Sequence, residues 1–100
     1  MLVVIARVQA RPDTADELAA LLAPLAAASR NDPGCLSYEF YRDLEDPTLF
    51  CSVETWTTRA DLDEHLGAPH TAELLMALPP LVAGAPSITA HEVSTSDRVA

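Results

Sequence analysis

At 100 residues, 49% hydrophobic and 21% charged, the chain has room for one globular domain with one core and is too apolar for a disordered segment. Fifteen acidic residues stand against six arginines and no lysine, a formal net charge of −9. Nucleic acid and anionic membrane surfaces are held by basic side chains, so this balance argues against both as partners. No apolar run approaches the ~20 residues that span a bilayer. The stretch Met1-Leu2-Val3-Val4-Ile5-Ala6-Arg7 has no basic lead and no cleavage site, and reads as a strand rather than a signal peptide. A cytoplasmic location and a single domain over residues 1–100, frayed from about residue 95, are the expectations.

From Leu2 to Ala10 the residues alternate, with Leu2, Val4, Ala6, Val8 and Ala10 on one face and Val3, Ile5, Arg7 and Gln9 on the other. Thr14 followed by Glu17 has the form of a capping box, and Leu18, Leu21, Leu22 and Leu25 then recur at helical spacing. Pro24 inside this run predicts a kink or an early end. Asp32-Pro33-Gly34 reads as a turn, since proline presets one dihedral and glycine accepts a positive one. The next strand sets Cys35, Ser37, Glu39 and Tyr41 against Leu36, Tyr38 and Phe40, and a polar loop near Leu44–Pro47 turns it back. On the returning strand Phe50, Ser52, Glu54 and Trp56 share a face opposite Leu49, Cys51, Val53 and Thr55. Cys35 would then pair near Trp56, too far along the hairpin from Cys51 for a disulfide, so both thiols are expected to be free.

Thr58 with Asp61 forms a second capping box opening a short helix to about Leu66, which Gly67-Ala68-Pro69 breaks. A further helical stretch runs from His70 to Leu78 with Leu74, Leu75 and Leu78 as its apolar side, and Ser87 to Ser94 reads as the last strand. The order strand, helix, strand, strand, helix, strand predicts an α+β, ferredoxin-like βαββαβ antiparallel sheet with its helices on one face. The other face carries apolar residues with nothing left in the chain to cover them, which predicts a homodimer with its two sheets face to face, a dimeric α/β barrel.

Pro33-Gly34-Cys35-Leu36-Ser37-Tyr38-Glu39, Asp46-Pro47, Glu54-Thr55-Trp56, His65-Leu66 and Pro69-His70, in that order and spacing, resemble the antibiotic biosynthesis monooxygenase domain family, which includes quinol monooxygenases. The resemblance runs from Leu2 to about Val93. It implies a monooxygenase that oxidises a small electron-rich aromatic, of quinol or anthrone type, with dioxygen and no cofactor. The substrate is its own reductant once deprotonated, so the protein has only to supply a dry pocket, a proton acceptor and hydrogen bonds to the anion. By this resemblance Trp56 walls a cavity under the helices. His65, an imidazole that can accept a proton, would take it from the substrate. Ser52 or Tyr38 holds the oxyanion, and Glu54, Phe50 and His70 complete the lining. Each has a plainer reading: Trp56 as core, His65 as a cation at a helix C-terminus, His70 as a residue opening the next helix. Glu54 is read as a base or as a carboxylate satisfied by Arg7, Arg42 or a partner subunit.

The chain departs from the anthrone-oxidising branch at Ser52, where that branch has an amide, and at Leu62, where it has a tyrosine; no arginine lies between Arg59 and Arg98. Ala6 stands where the haem-degrading branch has asparagine. No metal site is expected, because His65 and His70 are five apart rather than at the helical spacing of four, with only His91, Glu64 or a cysteine in view as a third ligand. Two other classes of function fit the same residues: a non-catalytic dimeric module binding a small apolar ligand, and an isomerase of a small carbonyl signalling compound.

Overall fold

The alternation of β1 (Leu2–Gln9) is realised as a central strand, with Leu2, Val4, Ala6 and Val8 buried beneath the helices and Val3 and Ile5 half-buried on the other side. The computed structural model describes residues 1–100. After β1 come α1 (Ala15–Ser29), β2 (Cys35–Arg42), β3 (Leu49–Trp56), α2 (Arg59–Leu66), α3 (Pro69–Ala77) and β4 (Ser87–Glu92). The strands form one antiparallel sheet in the order β2-β3-β1-β4, the ferredoxin-like α+β arrangement expected from the sequence. Pairing of Leu2 with Trp56, Val4 with Glu54, Ala6 with Ser52 and Val8 with Phe50 sets the inward side chains of β1 and β3 side by side. The core divides in two: Val8, Leu18, Leu22, Phe50 and Leu78 pack at one end, and Leu2, Val4, Ala26, Tyr38, Trp56 and Leu62 at the other.

Helix α1 runs unbroken through Pro24, so the early end that the proline predicts does not occur. Pro24 is exposed, so only one backbone bond is lost, while buried Leu18, Leu22, Leu25 and Ala26 press both halves of the helix on the sheet. Nor does Thr14 cap the helix: its hydroxyl donates to the Leu81 carbonyl at 2.6 Å and accepts the Arg11 N–H at 3.1 Å. Thr58 does cap α2, accepting the Asp61 N–H at 3.2 Å, and Pro69 opens α3 at its first position, where its missing N–H costs nothing.

The predicted alternation of β2 fails at its first step. A bulge between Cys35 and Ser37 leaves Leu36 as the extra residue, 59% exposed, and turns Cys35 to the same side as Tyr38. Beyond the bulge Tyr38 and Tyr41 point to opposite faces, as expected. Cys35 pairs with Trp56 and Cys51 with Tyr41, so the two thiols sit well apart along the hairpin and both are free. Strand β4 ends at Glu92, two residues early, and all six of its residues are exposed. Leu75 is exposed too, so only Leu74 and Leu78 serve the apolar side predicted for α3. No helix is long and apolar enough to cross a membrane.

Candidate functional site

Positive φ at Gly34 (77°) lets the Asp32-Pro33-Gly34 turn fold tightly against the start of α2, where the Gly34 carbonyl accepts the Thr57 N–H at 2.9 Å. This turn aims the Asp32 side chain at two histidines. Asp32 Oδ2 lies 2.8 Å from His65 Nδ1 and 2.8 Å from His70 Nε2. A carboxylate oxygen accepts from both rings, so these are the N–H nitrogens, and Nε2 of His65 is left as the free acceptor. Thr71 Oγ1 stands 3.4 Å from His65 Nδ1. The Gly67-Ala68-Pro69 break separates α2 from α3, and His65 from one helix meets the same oxygen as His70 from the other, their ring centroids 6.0 Å apart.

Deeper in, the His65 ring lies 4.7 Å from Trp56 at an interplanar angle of 36° and 5.4 Å from Tyr38. His65 is 3% exposed and Trp56 wholly buried. Glu54, buried beside them, accepts from Ser52 Oγ at 2.7 Å and Trp56 Nε1 at 3.0 Å. Both donors come from β3 at two-residue spacing, the strand period that brings alternate side chains together. Neither arginine proposed for Glu54 reaches it: Arg7 is on the far face of the sheet, and Arg42 pairs with Asp16 at 3.2 Å. Burial, and after it the negative charge of Glu54, pushes the Tyr38 phenol well above its ordinary value, so it stays a hydrogen-bond donor across the working pH range.

The structure therefore gathers Trp56, His65, Tyr38, Ser52, Glu54 and His70 into one continuous patch. Phe50 lies apart in the other half of the core. Room for a ligand is not beside Trp56, where side chains fill the space. Open grooves lie elsewhere: one of about 410 Å³ along α1 and β2, lined by Leu22, Ala26, Arg30, Phe40 and Phe50, one of about 360 Å³ between α1 and α3 that His70 lines, and one of about 470 Å³ beside Leu78 and Pro86. Phe40 stands between the first of these and the patch, edge-on to Tyr38 at 5.7 Å. Asp32 was missed by sequence reasoning. It carries only the signal of a turn residue, 33 positions before His65, and nothing in the spacing joins them.

The model of the family described as antibiotic biosynthesis monooxygenase matches residues 1–75. A relative named as an uncharacterized protein of Synechocystis is 33% identical over 98 residues, covering 98% of this chain and 67% of that protein. The protein of Mycobacterium tuberculosis named putative monooxygenase Rv0793 is 40% identical over 67 residues, covering 67% of this chain and 65% of its own. The chain thus spans about two thirds of the length of the curated relatives it matches. Among solved structures, one described as a putative antibiotic biosynthesis monooxygenase from Deinococcus radiodurans superposes with a TM-score of 0.94 at 30% identity, covering 100% of this chain and 99% of that one.

Proposed function

From the chain's membership of the antibiotic biosynthesis monooxygenase family, we propose that it is a cofactor-independent monooxygenase oxidising a small electron-rich aromatic, of quinol or anthrone type, with dioxygen. The observation that carries this reading is the buried His65 ring, oriented by Asp32 at 2.8 Å and laid against Trp56. A base must be held in one tautomer with one nitrogen free, and the Asp32 contact does that. His65 takes the substrate proton at Nε2. Asp32, which His70 Nε2 also holds at 2.8 Å, then faces the imidazolium that forms and stabilises its charge. Tyr38, kept protonated, donates to the anion, with Ser52 and the Glu54 network behind it. The substrate ring enters by the groove lined by Phe50 and Phe40, and Phe40 swings aside to let it meet His65. The deprotonated ring then gives an electron to dioxygen with water kept out.

Two copies complete the assembly in this proposal. Val3, Ile5, Leu49, Cys51 and Val53 form an apolar field on the sheet face away from the helices, and a second sheet of the same kind would cover it. Two free thiols suit a reducing cytoplasm.

Oxygen uptake with a panel of hydroquinones and anthrones in metal-free buffer is the test. His65→Gln, which keeps bulk and polarity, is expected to lower turnover by about 10²–10⁴-fold, the usual worth of a general base. The second reading is ligand binding without turnover, favoured by an apolar groove whose lining includes neither His65 nor Trp56. Saturable binding of an aromatic with no oxygen uptake would select it, whereas anaerobic turnover of a carbonyl compound would point to an isomerase.

A further inference from the structure

Asp32, His65 and His70 offer one carboxylate oxygen and two imidazole nitrogens, all within 4.8 Å of one another. We propose that these three residues form a binding site for a single divalent transition-metal ion, zinc before others. With ligand bonds of about 2.0–2.2 Å, atoms on neighbouring positions around a tetrahedral zinc lie about 3.3–3.6 Å apart. The two oxygen–nitrogen separations, 2.8 Å each, would open by roughly half an ångström or a little more as the ion takes the place of the two N–H protons. The two nitrogens have to draw together, and His70 is the ring free to make these adjustments, since 28% of its side chain is exposed while His65 is packed against Trp56 and Tyr38.

The donor set chooses the class of ion. Two imidazoles and one carboxylate suit zinc, cobalt, nickel or copper, and not calcium or magnesium, which take oxygen shells. Three protein ligands leave a position for water on the His70 side. Binding takes no proton from the protein as a whole. Each ring moves its proton from the nitrogen facing Asp32 to the other one, and the metal takes the freed lone pair. The order of the site comes from elements that do not depend on the ion: the Pro33-Gly34 turn fixes Asp32, α2 fixes His65, and Pro69 starts the helix that carries His70. The site does not rest on the oxidation proposed above. Where both hold, an ion on Nδ1 puts the ring proton on Nε2 and removes the acceptor, so zinc would stop turnover.

The test is titration of the whole chain, stripped with a chelator and dialysed, by zinc in a calorimeter and by cobalt in the visible spectrum. One ion per chain with a dissociation constant below about 1 μM, and a cobalt spectrum of low coordination number, are expected. His70→Ala removes a partly exposed ligand and Asp32→Ala the shared oxygen; each should weaken binding by at least about a hundredfold. His91→Ala on β4 and Cys35→Ser should leave it unchanged. Folding of each variant is checked by its circular dichroism melt. The proposal is overturned if His70→Ala binds as the unaltered chain does, if His91→Ala abolishes binding, or if zinc binds the unaltered chain no more tightly than about 100 μM.

Discussion

Tyr38 shows how one buried side chain sets a limit on the conditions the protein withstands. Its phenol is held above the ordinary value, first by burial and then by the charge of Glu54. The folded chain therefore keeps a proton that the unfolded chain gives up near pH ~10. A group raised in this way contributes its full share of stability below the unfolded value and loses it as pH climbs, here from about pH 10 upward, by up to about 1.4 kcal/mol per pH unit. The Cys35 thiol, raised by burial and by nearby Asp32, acts in the same direction from a somewhat lower pH. Tyr38→Phe keeps the ring packed and removes the phenol's share. Denaturant midpoints at pH 8 and pH 11 should fall further apart in the unaltered chain than in the variant.

At the scale of elements, the short Asp32–Gly34 turn holds the site together. A β-carbon on Gly34 would sit 2.1 Å from Asp61 Oδ2 and 2.5 Å from Asp61 Cβ, in a backbone conformation that side chains disfavour. Gly34→Ala should cost about 1–3 kcal/mol, read as a lower melting temperature, and should loosen the contact of Asp32 with both histidines, read in their ring-proton resonances. The strands flanking this turn show what a sequence discloses. Leu2 to Val8 and Phe50 to Trp56 alternate without interruption, so their buried faces are legible from period two alone. The bulge at Leu36 is not, because Leu36, Tyr38 and Phe40 continue an alternation that the backbone has already left. Pro24 misleads for a related reason: burial on both sides of it outweighs one lost hydrogen bond. Asp32 is silent because its meaning lies in contacts 33 and 38 positions away, made only once the helices dock.

The whole molecule leaves one side of its sheet bare. Val53, 38% exposed, sits at the middle of that side with Ile5 and Glu39 as its cross-strand neighbours. Sedimentation is expected to give a dimer, and Val53→Asp should weaken association by at least about tenfold by placing two carboxylates in a dry seam. A monomer at micromolar concentration in the unaltered chain would remove that part of the proposal.

Strand β4 joins β1 through its ladder alone, from Leu2 opposite Glu92 to Arg7 opposite Ser87, and buries none of its own side chains. Its place is borrowed from β1 rather than bought with apolar contact. Such a strand behaves as a removable margin. It widens the sheet and shields the β1 backbone from solvent, and with no side chain of its own buried it is expected to open first in hydrogen exchange, with the buried patch on β3 and the helices still in place.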